Sequence, residues 1–554
     1  MKEEQKYSSN PQLTELLETM VREVRHFAES QMTRIEQLTR IGIALSSEQD
    51  INKLLEMIID EAMRFSNADA GTLYIVDENA KQLQFKILKN LSLNSHMGGT
   101  SGVEVTLPPV PLEVDGKPNY ANVSSYVALT AESINIADVY QAEGFDFTGP
   151  KKYDAQTGYR SQSMLVVPMQ NHDNEIIGVL QLLNSRHPKT GEVIPFSDDY
   201  EEMISSLASQ AAVALENAEL IKSLKDLFEA FIRSIATAID EKSPYTGGHI
   251  RRVTELTMAL AQKINESHEK PFADVHLSEE ELEELRIAAW MHDVGKITTP
   301  EYVIDKSRKL ETLFDRMELV KTRFELIKLQ KKHDYLEKIS AASDKAVRKK
   351  TEAQMQRELT QLDKDLEFLI TCNRGENFLS DQDLERLQEI AARTYTIEGQ
   401  TYPYLTPDEL ENLSVRKGTL TAAERKTIEH HALMSIKILN QLPFPKKLAN
   451  VPVYAGGHHE KLDGSGYPYG LSGDKLPLQA RIMAIADVFE ALTARDRPYK
   501  KPMTLSKAVQ ILSRMCQDGH IDPDIYNVFI NSGLYLEYAR KELNPEQVDI
   551  SPAR

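Results

Sequence analysis

The spacing of apolar residues changes near residue 216, and this change limits the possible folds more than any other feature of the chain. From about residue 49 to 215, a helical stretch, INKLLEMIIDEAMRF, is followed by the segments AGTLYIVDE, QLQFKILKN, SMLVVPMQ and EIIGVLQLLNS. Alternation of apolar and polar residues is typical of half-buried strands. Beyond residue 216 the pattern is helical almost to the end. The sequence therefore predicts an α+β domain followed by an all-α domain.

The length of 554 residues fits several domains better than one. We predict four segments: an N-terminal helix at 1–48, an α+β domain at 49–215, a connecting helix at 216–240 and an all-α domain at 241–554. A long, charged helical insertion occupies about 305–412 of the last domain. Because the N-terminal helix repeats apolar positions at helical spacing, it needs a partner surface, and a homodimer would provide one.

Charge and cysteine content restrict the function. The formal net charge is -19, which disfavours a nucleic-acid polymer as partner. No apolar run reaches the roughly 18 residues of a membrane helix, and the N-terminus lacks a secretory apolar segment, so we expect a cytoplasmic protein without a membrane partner. Cys372 and Cys516 are too few and too far apart for a thiolate metal site. Any metal would need histidines and carboxylates.

Such side chains recur in the helical half, in the segments GGHIRRV (His249), MHDVGKI (His292, Asp293), IEHHALM (His430, His431), GHHEK (His458, His459) and AIADVFEALT (Asp487). A single histidine on an apolar helix is more often a hydrogen-bonded core residue than a ligand. The His292-Asp293 pair is different, because it follows the apolar run LRIAAWM and precedes Gly295. Both polar groups would then enter the protein interior, where they cost several kcal/mol without partners. Metal ligation would remove that cost.

Five segments, PYTGGHIRRV, HDVGKI, LTAAERKTIEHHALMSIKIL, HHEKLDGSGYPYGLSGDKLPLQARIMAIADVFEALT and DRPYK, occur in the order of the HD-GYP family of cyclic di-GMP phosphodiesterases, which they resemble. This family is part of the HD phosphohydrolase superfamily. The resemblance covers roughly 225–305 and 413–530. It implies that the all-α domain is an HD-GYP domain. It also implies an enzyme that opens cyclic di-GMP to pGpG, with further hydrolysis to GMP left open.

The resemblance also implies a centre of two divalent metal ions, and imidazole and carboxylate ligands suit iron or manganese. One ion would be held by His249, His292, Asp293 and Asp487, and the other by His431, His458 and His459, with Asp293 bridging both. His431, rather than His430, matches the family register after Glu424. Two cations activate water and stabilise charge on phosphoryl oxygens, as phosphodiester hydrolysis requires.

The substrate-facing residues are likewise implied by the family pattern. Lys296 would act as a catalytic residue on a phosphate or leaving oxygen, the alternative being a surface lysine at a helix end. Asp463 would fix the orientation of a ligating imidazole. The remaining expected contacts with substrate are Gly464, Tyr467 and Pro468 in the loop, and Arg497 and Lys500 for the phosphates.

Four departures from the family pattern affect these expectations. Tyr245 stands four residues before His249, where many family members with a third metal have a glutamate, and this favours a centre of two ions. Lys242-Ser243 replaces an Arg-Asp pair, so a carboxylate behind the metals would be missing. Glu490 replaces an aspartate, and one additional residue precedes the basic cluster of Arg497 and Lys500. The insertion at 305–412 could cover the cleft, admit a different substrate or make a dimer contact.

The α+β domain resembles a GAF domain, a regulatory fold that binds small molecules. GVLQLLNS followed by FSDDYEE is similar to the Asn…Phe…Asp-Asp/Glu pattern of GAF domains in cyclic-nucleotide phosphodiesterases and cyclases, with Asn184, Phe196, Asp198 and Asp199 in its positions. This implies a sensor that acts through the helix near 205–240, with an unknown small-molecule ligand. A ligand-free dimerisation module is the alternative.

Two further functions stay open on the sequence. Another cyclic dinucleotide, such as cyclic GMP-AMP, could be the substrate, because the metal chemistry does not depend on the base. The chain could instead be a catalytically silent receptor or scaffold that binds partners through the GYP loop and the insertion.

Overall fold

Strands and helices form where the apolar spacing predicts them. The structure is a computed structural model that describes residues 11–242, 247–494 and 502–550. The chain divides into two units, Met1–Leu227 and Phe228–Arg554. The first is an α+β unit and the second is mostly helical, which confirms the expected fold class.

The α+β unit is built on an antiparallel sheet in the order β3-β2-β1-β9-β8-β7, with β10 beside β9 and β4 beside β2. A separate small hairpin joins β5 and β6. The strands are β1 (Ala68–Asp77), β2 (Gln82–Asn90), β3 (Ser95–Gly98), β4 (Val110–Pro111), β5 (Glu113–Val114), β6 (Lys117–Pro118), β7 (Ile134–Ile136), β8 (Met164–Gln170), β9 (Ile176–Arg186) and β10 (Val193–Ile194). The four long strands β1, β2, β8 and β9 coincide with the four alternating segments of the sequence.

Helices cover this sheet. They are α1 (Pro11–Ser47), α2 (Ile51–Ser66), α3 (Val123–Thr130), α4 (Thr148–Thr157) and α5 (Asp198–Asp240). The core on one sheet face combines Ile58 and Ile59 of α2 with Leu207 and Ala211 of α5. Gly71 of β1 permits this packing, because a Cβ atom there would lie 2.7 Å from the Ile59 side chain. Much of α1 leaves its apolar residues exposed, so the need of that helix for a partner stays a prediction.

The second unit is a helical bundle with one core of its own. Its helices are α6 (His249–Asn265), α7 (Glu279–Met291), α8 (Glu301–Ile304), α13 (Ala422–Leu439), α14 (Val451–Gly456), α15 (Leu478–Thr493), α16 (Leu505–Gln517), α17 (Pro523–Asn531) and α18 (Leu534–Glu542). Short 3-10 helices lie at Val294–Thr298, Lys446–Leu448, Gly473–Lys475 and Pro545–Gln547.

The insertion forms a subdomain with a separate core that includes Phe324, Leu369, Leu387 and Tyr404. Its elements are α9 (Met317–Ala341), α10 (Lys345–Asn373), α11 (Asp381–Ala391), β11 (Thr394–Ile397), β12 (Gln400–Pro403) and α12 (Pro407–Leu413). The sequence predicts only helices here, so the β11-β12 hairpin is a correction. The reason is local: TYTI and QTYP are rich in β-branched and aromatic residues, and Glu398 and Gly399, both at positive φ, form a two-residue hairpin turn.

In the described parts of the chain, no helix is both long enough and apolar enough to cross a bilayer.

Candidate metal centre

Three buried histidines are held in the same way. In each, Nδ1 donates a hydrogen bond to the carbonyl oxygen three residues earlier: His292 to Ala289 (2.7 Å), His431 to Ile428 (2.5 Å) and His458 to Ala455 (2.6 Å). This bond leaves the lone pair of each Nε2 atom free to bind a cation. The three Nε2 atoms are buried and have no hydrogen-bond partner among the described residues.

The first group of side chains lies on one side of Asp293. His249 and His292 place Nε2 at 3.5 and 3.3 Å from Oδ2 of Asp293. Asp487 of α15 places Oδ1 at 3.4 Å from Nε2 of His249 and 4.0 Å from that of His292. Two ligands about 2.1 Å from one ion lie roughly 3 to 3.5 Å apart. The separations of 3.3, 3.4 and 3.5 Å therefore match ligands of a shared cation, and the 4.0 Å between Asp487 and His292 is slightly longer.

The second group lies on the other side of Asp293. Oδ1 of Asp293 is 3.4 Å from Nε2 of His431, and this oxygen is buried without a hydrogen-bond partner among the described residues. The ligand atoms of His431, His458 and His459 all lie within 4.8 Å of one another. His458 also borders the first group, because its ligand atom lies within 4.8 Å of those of His292 and Asp293. Thus the two oxygens of Asp293 face two neighbouring sets of imidazoles.

These residues fit a pair of divalent cations. Four buried polar atoms without hydrogen-bond partners among the described residues, three Nε2 atoms and Oδ1 of Asp293, converge on one volume. A protein interior tolerates such atoms poorly unless an ion or an ordered water binds them. Imidazole nitrogen and carboxylate oxygen suit several first-row metals, so this donor set does not choose between iron and manganese.

The pKa shifts differ between the two groups. Burial disfavours charge on His249, but Glu490, Asp293 and Asp487 outweigh burial and raise its pKa well above the usual value. In the second group, burial lowers the pKa of His459 to about 3, and burial with the neighbouring imidazoles lowers that of His458 strongly. His458 and His459 are therefore neutral near pH 7, the form that binds metals.

Both carboxylates are ionised. Burial opposes the charge on Asp293, but Lys296 and the adjacent imidazoles hold its pKa well below the usual value. The pKa of Asp487 is also lowered, because His249 and the other histidines outweigh burial. Two buried anions among imidazoles form a local site for cations in a protein whose overall charge is negative.

Glu490 supports the first group, a role that the sequence pattern does not reveal directly. It lies one helical turn after Asp487 on α15, is 1% exposed and binds Nδ1 of His249. Its other oxygen accepts a hydrogen bond of 2.6 Å from Nε of Arg252. The i, i+3 spacing from Asp487 was the available signal, since it places both carboxylates on one face of a helix. Glu490 therefore orients His249 with Nε2 toward Asp293.

We expect Glu490→Gln to weaken divalent-ion binding roughly 10- to 100-fold, because the amide removes the negative charge that orients and polarises His249. Competition with a chelator, measured with manganese on the full chain, provides the test. Glu542→Gln is a matched control, because Glu542 is also a buried carboxylate paired with an arginine, Arg251, but lies outside the metal centre. Equal metal affinity in the two variants would contradict the role of Glu490.

A close backbone contact joins the two groups. The amide of Gly295 donates to Oγ of Ser435 (2.9 Å), and the same hydroxyl donates to the carbonyl oxygen of His292 (2.7 Å). A Cβ atom on Gly295 would lie 1.9 Å from the carbonyl oxygen of His431. Helix α13 therefore reaches the His292-Asp293 turn only because residue 295 is a glycine.

Lys296 and Lys242 shape the turn that follows Asp293. Nζ of Lys296 lies 2.5 Å from Oδ2 of Asp293, and its side chain is 26% exposed, so it faces the centre and still reaches solvent. Nζ of Lys242 donates to the carbonyls of Lys296, Ile297 and Thr299 at 3.0, 2.6 and 2.7 Å. Lys242 thus stabilises the end of the 3-10 helix.

The GYP loop lies beside the second group. The ring of Tyr467 is 4.8 Å from that of His459, at an angle of 37°. Gly466 permits this approach, because a Cβ atom there would lie 2.6 Å from the carbonyl oxygen of His459. Buried Glu460 accepts hydrogen bonds from the amides of Tyr469 (2.7 Å) and Leu471 (2.9 Å). Gly464, at a φ of +78°, and Pro468 complete the loop.

The other predicted residues fall outside this arrangement. Arg497 and Lys500 lie outside the described residues. His430 is exposed, whereas His431 points into the centre. The expectation for Asp463 is wrong: its carboxylate is exposed and accepts from the amide and hydroxyl of Ser465 at 2.8 and 3.0 Å. In three of the candidate ligands, His292, His431 and His458, a backbone carbonyl already fixes the orientation of the imidazole.

The α+β unit contains a cavity of about 440 Å³. Tyr74, Phe85 and Met164 contribute to its walls, together with Ser124 and Gln181. Oε1 of Gln181 accepts hydrogen bonds from Tyr74 (2.9 Å) and Ser124 (3.2 Å). The cavity is thus a largely apolar space with a fixed amide on its wall.

The four residues of the Asn…Phe…Asp-Asp pattern do not line this cavity. Asn184 accepts from the amide of Gln162 (2.7 Å) and donates to the carbonyl of Arg160 (2.8 Å). Phe196 is buried in the helix-covered core, and Asp198 and Asp199 begin α5. In this fold the pattern residues thus lie outside this cavity, and Asn184 links neighbouring chain segments.

Comparison with known families agrees with both units. A GAF domain model matches residues 50–215, and HD domain models match residues 246–370 and 402–525. The chain therefore contains a GAF domain and an HD domain. The predicted resemblance to the HD-GYP phosphodiesterases, with a GAF domain at the N-terminal side, is confirmed by these domain models and by curated relatives that are named cyclic di-GMP phosphodiesterases.

The curated relatives include three proteins of Vibrio cholerae that illustrate the extent of the similarity. A probable cyclic di-GMP phosphodiesterase is 39% identical over 142 residues, which are 24% of this chain and 32% of that protein. The 3'3'-cGAMP-specific phosphodiesterases 1 and 3 are 38% and 41% identical over 25% and 20% of this chain, and over 30% and 23% of their own lengths. The chain thus covers at most 32% of the length of any of these three curated relatives.

Proposed function

We propose that the chain is a metal-dependent phosphodiesterase that hydrolyses a cyclic dinucleotide, with cyclic di-GMP opened to pGpG as the first candidate reaction and further hydrolysis to GMP left open. The observation that carries this proposal is the position of Asp293, whose two oxygens face two separate sets of buried imidazoles. Paired cations about 3.5–4 Å apart stabilise the attacking and leaving oxygens in phosphodiester hydrolysis, and a carboxylate with one oxygen toward each set of imidazoles can hold both cations.

In this proposal His249, His292, Asp293 and Asp487 hold one ion, and His431, His458 and His459 hold the other, with Asp293 shared. Bound divalent ions supply Lewis acidity, which neutralises charge on the phosphate and lowers the pKa of water. Carbonyl hydrogen bonds hold three of the imidazoles, so these ligands need little reorganisation when substrate binds.

Lys296 is the proposed catalytic cation among the protein side chains. Burial opposes its charge, but Asp293 raises its pKa above the usual value, so the ammonium persists at neutral pH. With its side chain 26% exposed, it can donate to a phosphoryl oxygen or to the leaving oxygen at the open side of the centre. Tyr467 offers a ring against which a purine can stack, and Arg497 and Lys500 stay proposed phosphate contacts.

The names of the relatives favour a second candidate substrate. Both cyclic di-GMP and 3'3'-cGAMP occur among these names, and the proposed metal ligands do not contact a base. We expect the full chain, purified without oxygen and loaded with iron or manganese, to hydrolyse one of the two at least tenfold faster at equal concentration. Separation of the products by chromatography checks this. Metal-loaded protein that hydrolyses neither would favour the receptor function.

The GAF domain is the proposed sensor. Its 440 Å³ cavity has the size of a small-ligand pocket, and α5 runs without interruption from this domain to residue Asp240. A ligand can change activity only if it binds the active and inactive states with different affinity. If proteolytic cleavage of α5 leaves both the hydrolysis rate and its response to added ligand unchanged, this regulation is excluded.

A further inference from the structure

Helix α9 of the insertion is apolar on two faces. Met317, Val320, Phe324, Ile327 and Tyr335 are buried in the subdomain core. A second row is exposed and consists of Leu319 (49%), Leu326 (43%), Leu329 (64%) and Leu336 (49%). We call these four residues the leucine seam. A helix that only covered its own subdomain would carry polar residues there, so the seam indicates a second contact.

The spacing of the leucine seam is that of a coiled coil. Successive leucines are separated by seven, three and seven residues, which places Leu319 and Leu326 at heptad position a and Leu329 and Leu336 at position d. Thr322 and His333 occupy the remaining d and a positions and are also exposed. Such a row keeps one line of contact with another helix along its whole length.

This seam is complementary to itself when two copies run antiparallel. If Leu326 lies opposite Leu329 of a second copy, Leu319 falls opposite Leu336, and Thr322 falls opposite His333. Every leucine then meets a leucine, and the two polar layers pair a hydroxyl with an imidazole. The heptad positions alone also permit a parallel pair, but that pair would place His333 opposite His333 and Thr322 opposite Thr322.

The charges that flank the seam are complementary in the antiparallel pair. Glu325 and Lys332 occupy successive g positions and are both exposed. In antiparallel helices g faces g, so Glu325 of each copy lies opposite Lys332 of the other. In a parallel pair Glu325 would face the neutral Gln330 and Lys332 would face Glu337, so Glu325 meets an opposite charge only in the antiparallel pair. Glu325 contacts Lys328 at 2.7 Å, but Lys328 also pairs with Asp363, so Glu325 is not needed to balance that lysine.

The anchoring of the hairpin agrees with this orientation. The base of the α9-α10 hairpin is fixed where the amides of Lys309 and Leu310 bond to the backbone and side-chain oxygens of Asn373, at 3.0 and 2.8 Å. Antiparallel pairing places the two bases, and the helical bundles attached to them, at opposite ends of the helix pair. A parallel pair would bring both bundles to the same end.

We propose that the leucine seam binds the leucine seam of a second copy of this chain in antiparallel orientation. The seam is roughly 26 Å long at about 1.5 Å per residue, so its contact is smaller than the roughly 800 Å² per partner of a typical stable complex. We therefore expect a reversible, concentration-dependent association that adds to any contact made by other surfaces. The proposal does not depend on the proposed hydrolysis.

Sedimentation velocity of the full chain over a range of concentrations tests the seam. Leu326→Asp combined with Leu329→Asp should weaken the association roughly 100-fold or more, because four buried leucines per pair become carboxylates. The matched control combines Leu313→Asp with Val347→Asp, two exposed apolar residues of the insertion outside the seam, and should sediment as the parent chain does. Unchanged sedimentation of the seam variant, with unchanged helix content, would overturn the proposal.

Charge exchange tests the orientation. In the antiparallel pair, Glu325→Lys and Lys332→Glu should each raise the dissociation constant roughly tenfold, and the double variant should restore it. A parallel pair gives another result: Glu325→Lys has little effect, Lys332→Glu opposes Glu337, and the double variant is not restored. That second result would overturn the antiparallel arrangement. If the seam instead binds a different protein, the purified seam variant should sediment as the parent chain does, and this result would overturn the proposal of a second copy.

Discussion

Asp293→Asn is expected to remove both metal ions and to abolish hydrolysis of either cyclic dinucleotide. The amide keeps the shape of the side chain but loses the charge that is shared between His249 and His292 on one side and His431 on the other. Metal ions contribute several kcal/mol of transition-state stabilisation, so we expect a rate loss of roughly 10³-fold or more. Elemental analysis and product chromatography on the same anaerobic sample give both quantities.

His430→Ala is the control for this experiment. His430 is adjacent in sequence to a proposed ligand but is exposed, so the variant should keep two metals per chain and the parental rate. Asp293→Asn should remain folded, because the asparagine fills the same volume. If Asp293→Asn binds two metals and hydrolyses substrate, Asp293 is not the bridging ligand. If only the rate falls while both metals remain, its role is catalytic rather than structural.

The parts of this centre that could be predicted are those in which chemistry and spacing coincide. His292 and Asp293 follow an apolar run, so the sequence alone places two polar groups in an interior. The family register favours His431 over His430, and the structure places the first in the centre and the second in solvent. The alternating segments likewise predict the four long strands, because successive side chains of a strand point to opposite faces of its sheet.

The parts that were missed depend on contacts between distant segments. Ser435 resembles an ordinary helix residue until α13 packs against the His292-Asp293 turn. In the sequence Glu490 is only a replacement for aspartate, yet the longer side chain reaches His249. In the sequence, the Lys242-Ser243 pair indicates only that a carboxylate is missing behind the metals. In the structure, the ammonium group of Lys242 donates hydrogen bonds to three backbone carbonyl oxygens. The error at Asp463 is of the same kind, because nothing in the sequence shows that backbone carbonyls already bind the imidazoles.

Gly295→Ala is expected to destabilise the helical unit by about 3 kcal/mol or more and to lower metal content. The added methyl group would lie 1.9 Å from the carbonyl oxygen of His431 and 2.6 Å from the amide of Ser435. Both atoms belong to the backbone of α13, so neither can move aside as a side chain would. Relief of the clash requires α13 to shift, which carries His431 away from Asp293. Thermal unfolding and metal analysis measure the two effects.

Gly399→Ala separates this clash from ordinary glycine strain. Gly399 has a φ of +81° but meets nothing within 4 Å, so alanine there should cost only about 1 kcal/mol from the left-handed backbone and leave both metals bound. Gly295 does not have a positive φ, so the effect at residue 295 can come only from the approach of α13. If Gly295→Ala is as stable as Gly399→Ala and still binds two metals, the backbone contact of α13 does not hold His431 beside Asp293. The centre depends on that approach, because one carboxylate can serve two sets of imidazoles only while α13 stays in backbone contact with the His292-Asp293 turn.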